Sequence, residues 1–180
     1  MESQTVIRFW FEEATPSQWF RKDEKFDAEI RRRFLDVYEG AMKGELADWR
    51  KSPEGRLAEI IVLDQFPRNM FRNSPQAFAG DALALKFVQD AIAAGDDKKL
   101  SVRMRRFLYM PYMHSESRDA HKKALRLFFS LLPSQWAAFK FEWKHKRIID
   151  RFGRYPSRNA ILRRESTPAE TEFLKTHKGF

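Results

Sequence analysis

Asp23-Glu-Lys-Phe26-Asp-Ala-Glu-Ile30-Arg-Arg-Arg-Phe34-Leu-Asp-Val37-Tyr-Glu-Gly40-Ala41-Met-Lys-Gly44 is the stretch that decides the fold class. Its apolar residues Phe26, Ile30, Phe34, Val37 and Ala41 recur every three or four positions, the period of one helical face. Asp23 is placed to cap the start, and Gly40 or Gly44 to end the helix. The same grammar repeats outward along the chain. Ser52-Pro53-Glu54 sets a cap residue before a proline in the first turn, where the missing N–H costs nothing. The helix it opens carries Leu57, Ile60, Ile61 and Leu63 and is expected to stop at Pro67. Ser74-Pro75 repeats the signal, with one helix expected to run on to Gly95. Helices follow over Val102–Met110, broken by Pro111, over Glu116–Leu132, from Pro133-Ser134 to Phe152, and from Thr167-Pro168. No run alternates apolar and polar residues for long enough to make a strand. Seven to nine helices joined by short loops predict an all-α fold in a single domain, 1–180.

The composition narrows the chemistry. At 180 residues, 43% of them hydrophobic, the chain can build a real core. With no cysteine there is no disulfide framework, no thiolate nucleophile and no Cys-ligated metal. No H-E-x-x-H, P-loop or G-x-G-x-x-G occurs, and Glu142-x-x-His145 lacks the second such pair that a di-iron bundle needs. No cofactor or metal is therefore expected. Glu2, Arg8, Glu12 and Glu13 interrupt any signal-like apolar run, and the longest apolar stretches are far short of the ~20 residues of a membrane span. The expectation is a cytoplasmic protein with no membrane partner.

Charge is distributed unevenly. Residues 101–164 hold 16 Lys and Arg against 4 Asp and Glu, while residues 1–100 hold 16 against 18. That third of the chain therefore carries a net +12, more than the whole net charge of +9. Such an asymmetry fits an anionic partner, or equally an arginine-rich lid over the acidic first half.

Two ionisable residues break the apolar pattern. Asp64 follows Leu57, Ile60 and Ile61 on one helical stripe, so its carboxylate points inward and must be paired. His145 shares a stripe with Ala138, Phe141, Ile148 and Phe152 and also points inward. Each is either a structural brace or one half of an acid–base pair. His114-Ser115-Glu116 sits at a helix break, where Ser115 is placed to cap the next helix. Arg147, Arg151, Arg154 and Arg158 recur every three to four residues, and guanidinium groups suit phosphate and carboxylate. Tyr109, Tyr112 and Tyr155 could stack on a ring. Asp64-Gln-Phe-Pro-Arg68-Asn69 is also echoed in Asp150-Arg-Phe-Gly-Arg-Tyr-Pro-Ser-Arg158-Asn159.

Several of these strings, taken in order, resemble a known family. They are Trp19-Phe20-x-Lys-Asp23, Gly55-Arg56-Leu57, Leu63-Asp-Gln-Phe-Pro-Arg-Asn69, Phe107-Leu-Tyr-Met-Pro111, His114-Ser-Glu116, Asp150-Arg-Phe-Gly-Arg154 and Arg158-Asn-Ala-Ile-Leu162. Together they are similar to the bacterial domain-of-unknown-function family 924. The resemblance implies a tetratricopeptide-like array of antiparallel helical hairpins and carries no activity with it. Tyr112-Met113 stands where Phe-Glu usually precedes the His-Ser-Glu string, so position 113 has no acid.

The leading expectation is a small anionic or phosphorylated ligand in an Arg/His/Asp-lined cleft. Asp64, His145, His114 and Glu116 are the candidate catalytic groups, with Asp64 and His145 as the acid–base pair. Arg68, Asn69, Tyr109, Arg151, Arg154, Arg158 and Asn159 are the candidate ligand contacts. One alternative is a protein partner on a concave helical surface. Nucleic acid ranks below both, as non-specific RNA binding through residues 101–164.

Overall fold

The protein is all-helical, as seen in a computed structural model that describes residues 1–177 and 179; among these no strand occurs. Helix α1 (Ser3–Arg8) runs into a π-helical turn over Phe9–Glu13. It is followed by α2 (Pro16–Phe20), α3 (Glu24–Lys43), α4 (Pro53–Asp64) and α5 (Phe66–Met70). The second half holds α6 (Asp81–Ala93), α7 (Val102–His114), α8 (Arg118–Phe129), α9 (Trp136–Phe152) and α10 (Pro168–Leu174).

Helix α4 is the axis of the molecule. It packs against α1, α3, α6 and α7, and from Leu57 to Asp64 every side chain is fully buried. A helix apolar on nearly every side, with only Glu59 and Asp64 as buried polar groups from Leu57 on, can only sit inside, so the others arrange themselves about it. The 17 Phe and 5 Trp of the sequence explain what fills the gaps. Phe34 and Phe66 meet at a tilt, 4.7 Å apart, and Trp10 meets Phe66 and Phe107 edge-on at 5.6 and 5.7 Å. This cluster ties the π-helical turn after α1 to α3, α5 and α7. Successive helices α6, α7, α8 and α9 each pack on the next.

The expected boundaries hold at α3 and at the start of α4, but α4 ends at Asp64, and Pro67, the expected stop, lies inside α5. The Asp23 side chain accepts from Lys25 and Phe26 N–H, Gly44 closes α3 at φ +80°, and Ser52 caps α4. Elsewhere they move. The expected Ser74–Gly95 helix is a 3-10 turn (Pro75–Phe78) followed by α6, because the chain must pass close to α4 at Gly80. A Cβ built there would lie 2.3 Å from the Leu63 carbonyl oxygen. Pro111 does not break α7, which continues to His114; it falls in the last turn, where only the Phe107 carbonyl loses its donor. Helix α8 is capped by Ser117 rather than Ser115, whose hydroxyl instead accepts from Ser117 N–H.

Candidate functional site

The break between α4 and α5 places Asp64 at the end of the buried helix and Arg68 one turn later. Asp64 is fully buried, so its charge must be answered by protein groups. His114, the last residue of α7, donates from Nδ1 to Oδ1 at 2.7 Å and lies 3.0 Å from Oδ2. Gln65 Nε2 donates to Oδ2, and Arg68 Nη1 stands 3.3 Å from Oδ1 while also donating to the Asp64 carbonyl. Burial by itself would raise the carboxyl pKa. The Arg68 charge and the His114 and Gln65 hydrogen bonds outweigh it, and Asp64 titrates below the usual carboxylate range.

The His114 pKa is lowered too, which in a base favours the neutral form. Burial and the Arg68 charge lower its pKa, despite the attraction of Asp64, so the ring is neutral at pH 7. A neutral ring that donates from Nδ1 has its basic lone pair on Nε2. That nitrogen makes no hydrogen bond among the described residues.

Asp81, the first residue of α6, completes the cluster. Arg68 Nη2 donates to it at 3.0 Å and Arg158 Nη1 approaches the same carboxylate at 3.3 Å. Arg158 Nη2 also donates to the His114 carbonyl at 3.0 Å, and its guanidinium lies over the rings of Phe78 and Tyr155. The two arginines of the echoed Asp–aromatic–Arg–Asn strings thus converge on one carboxylate. His114, Arg68, Arg158 and Asp81 keep side-chain exposures of 13 to 21%, so the cluster has an edge open to solvent.

Of the residues the sequence put forward, the structure gathers Asp64, His114, Arg68 and Arg158. The expected Asp64–His145 pair is corrected: the imidazole on Asp64 is His114, and His145 Nδ1 lies 2.7 Å from the Phe141 carbonyl. Burial lowers the His145 pKa to about 3. Arg154 is held at 2.7 and 2.8 Å by Glu170, and Arg151 lies on Phe152 and Phe173. Glu116 accepts from Tyr155 N–H and from both arms of Arg164. Buried Asn159 donates to Ser166 and accepts from Arg164. Asn69 donates to Asp27, and Tyr109 to Asp97, away from the cluster. No group of three or more His, Asp or Glu able to hold a metal occurs among the described residues.

The sequence reading missed Asp81, Gln65 and a second buried carboxylate on α4, Glu59. Glu59 is fully buried and bridged at 2.7 Å by both Nε and Nη2 of Arg50. Nothing in the local pattern linked Asp81 to arginines 13 and 77 positions away. The Gly80-Asp81 step was the available sign of a tight approach.

The fold and this cluster define an all-helical protein built around a buried Asp–His–Arg network, with no membrane-crossing helix among the described residues. The chain belongs to the family described as bacterial protein of unknown function (DUF924), whose model matches residues 6–178. It is 38% identical to a protein of unknown function from Agrobacterium tumefaciens of solved structure. The two superpose with a TM-score of 0.92 over 97% of each chain. No curated protein matches it.

Proposed function

We propose that the protein binds a small anionic ligand at the open edge of the Asp64–His114–Arg68–Arg158 cluster, and that His114 exchanges a proton with it. One observation carries this reading: a buried carboxylate fixes Nδ1 of a neutral histidine whose Nε2 has no hydrogen-bond partner among the described residues. The contrast with Glu59 supports it. Glu59 is answered by a guanidinium alone, which is all that a brace requires, whereas Asp64 also holds Nδ1 of a base. Arg158 and Arg68 keep donors beyond those given to Asp81, since each guanidinium carries five. With His114 neutral, the two arginines balance Asp64 and Asp81. The pull on an anion therefore comes from directed donors and from the basic chain around them.

The test is thermal stabilisation by inorganic phosphate and a panel of sugar phosphates, in the parent protein and in His114→Ala and Arg158→Ala. At a hundredfold excess over Kd a ligand stabilises the folded state by about 2.7 kcal/mol. The expected result is a rise in Tm with at least one phosphate ester, absent in Arg158→Ala and reduced in His114→Ala. Equal shifts in all three proteins, or no shift in the parent, would overturn the assignment.

A further inference from the structure

The outward ridge of α9 carries a pattern that the buried network does not use. Trp136, Lys140, Trp143 and Arg147 follow one another at helical spacing along the face opposite the buried Ala138, Glu142, His145 and Ile149. Trp136 is 53% exposed and Trp143 48%, and Phe129 at the end of α8 is 64% exposed. Large aromatics are seldom left this bare, and an exposed group of them marks a binding surface. Each tryptophan is flanked by a cation: Lys140 Nζ lies 5.4 Å from the Trp136 ring and the Arg147 guanidinium 4.8 Å from Trp143. Lys140, Lys144 and Arg147 form no ion pair among the described residues. Residues 120–149 contain seven Lys and Arg against a single carboxylate, Glu142, and that one is buried.

We propose that this ridge binds single-stranded nucleic acid, with bases stacking on Trp136 and Trp143 and phosphates meeting Lys140, Lys144 and Arg147. Charge complementarity selects a polyanion, and the interleaving selects which one. A membrane-docking helix separates its apolar face from its cationic one so that the apolar face can enter the lipid. Here aromatic and cationic side chains alternate along one line, as they do where a strand lays its bases on rings and its backbone on cations. The tryptophans stand two turns apart, about 10 Å along the axis, room for successive stacked bases with cations between. A duplex hides its base faces and gains nothing from exposed rings. This surface is separate from the Asp64–His114 cluster, so either proposal can fail without the other.

The experiment is fluorescence anisotropy of an end-labelled oligouridine of about a dozen nucleotides, titrated with the full chain. Three phosphate contacts predict a salt slope of about −2, so affinity falls roughly twentyfold between about 50 and 200 mM salt. Trp136→Ala/Trp143→Ala should weaken binding by about tenfold or more at an unchanged slope and an unchanged Tm, since neither ring is in the core. Lys140→Gln/Arg147→Gln should flatten the slope instead. The proposal is overturned by no binding at low salt, by equal affinity in the tryptophan variant, or by a duplex binding as tightly as the single strand. Capture of the protein by phosphatidylserine vesicles, without binding of the oligonucleotide, would assign the ridge to a membrane and also refute it.

Discussion

Asp64 and Glu59 are the residues at which structural and functional demands can be separated. Both are buried on α4, and removing the charge from either leaves a cation unanswered, which costs about 3–5 kcal/mol where that cation is buried and less where, as with Arg50 at 29% exposed, water reaches it. Asp64→Asn should therefore lower stability by up to that order, and Glu59→Gln by less, as urea denaturation would measure. Only Asp64→Asn should also abolish ligand-dependent stabilisation. If Glu59→Gln abolishes it too, the effect belongs to α4 as a whole and not to the pair. His145 sets a second expectation. Its folded pKa of about 3 lies below the ordinary value near 6.5 of the unfolded chain, so the unfolded state binds the proton first. Stability is then complete above about pH 6.5 and falls by about 1.4 kcal/mol per pH unit as pH drops toward 3. The lowered pKa of His114 acts in the same direction. His145→Phe, if it packs, should flatten that acid limb in a series of denaturation curves at different pH. An unchanged limb would remove His145 as its cause.

The elements show how far local pattern reaches. Caps, prolines and the three-to-four spacing placed α3 and the start of α4 nearly to the residue, because those signals act within one turn. They failed where a contact from elsewhere decides the geometry. The 74–95 stretch reads as one helix, yet it bends at Gly80 so that α6 can start against the end of α4. No local signal specifies a close approach to the Leu63 carbonyl. Gly80→Ala tests that bend. Its Cβ would fall 2.3 Å from a backbone oxygen, so α6 must shift, at a cost typical of overpacking, about 1–3 kcal/mol. Because Asp81 is the next residue, the shift should also loosen the Arg68–Asp81–Arg158 junction and reduce phosphate-dependent stabilisation. A neutral effect on Tm and on binding would mean that this junction is not set by the α4–α6 contact.

At the scale of the whole molecule the basic third of the chain divides in two. Arg154, Arg158 and Arg164 turn inward to Glu170, Asp81 and Glu116 and fasten the segment after α9 onto the helices. Lys140, Lys144 and Arg147 remain outward on α9. The net charge could be read from sequence, but that division could not, because it depends on which carboxylates the fold brings within reach. The same limit applies to the site. Asp64 announced itself by sitting on an apolar stripe, and His114 by its place at a helix break, yet their pairing spans 50 positions and is made by packing α7 against α4. His145, equally inward by periodicity, lies beside a carbonyl of its own helix. The most direct measurement is a long-range 1H–15N NMR spectrum of the histidine rings across pH, with and without a sugar phosphate that raises Tm. His114 should be the neutral Nδ1–H tautomer at pH 7, Nε2 should titrate below the ordinary histidine range, and the Nε2 resonance should move on adding the phosphate. A His114 ring protonated on Nε2 at neutral pH, or one indifferent to every phosphate tested, would contradict this assignment.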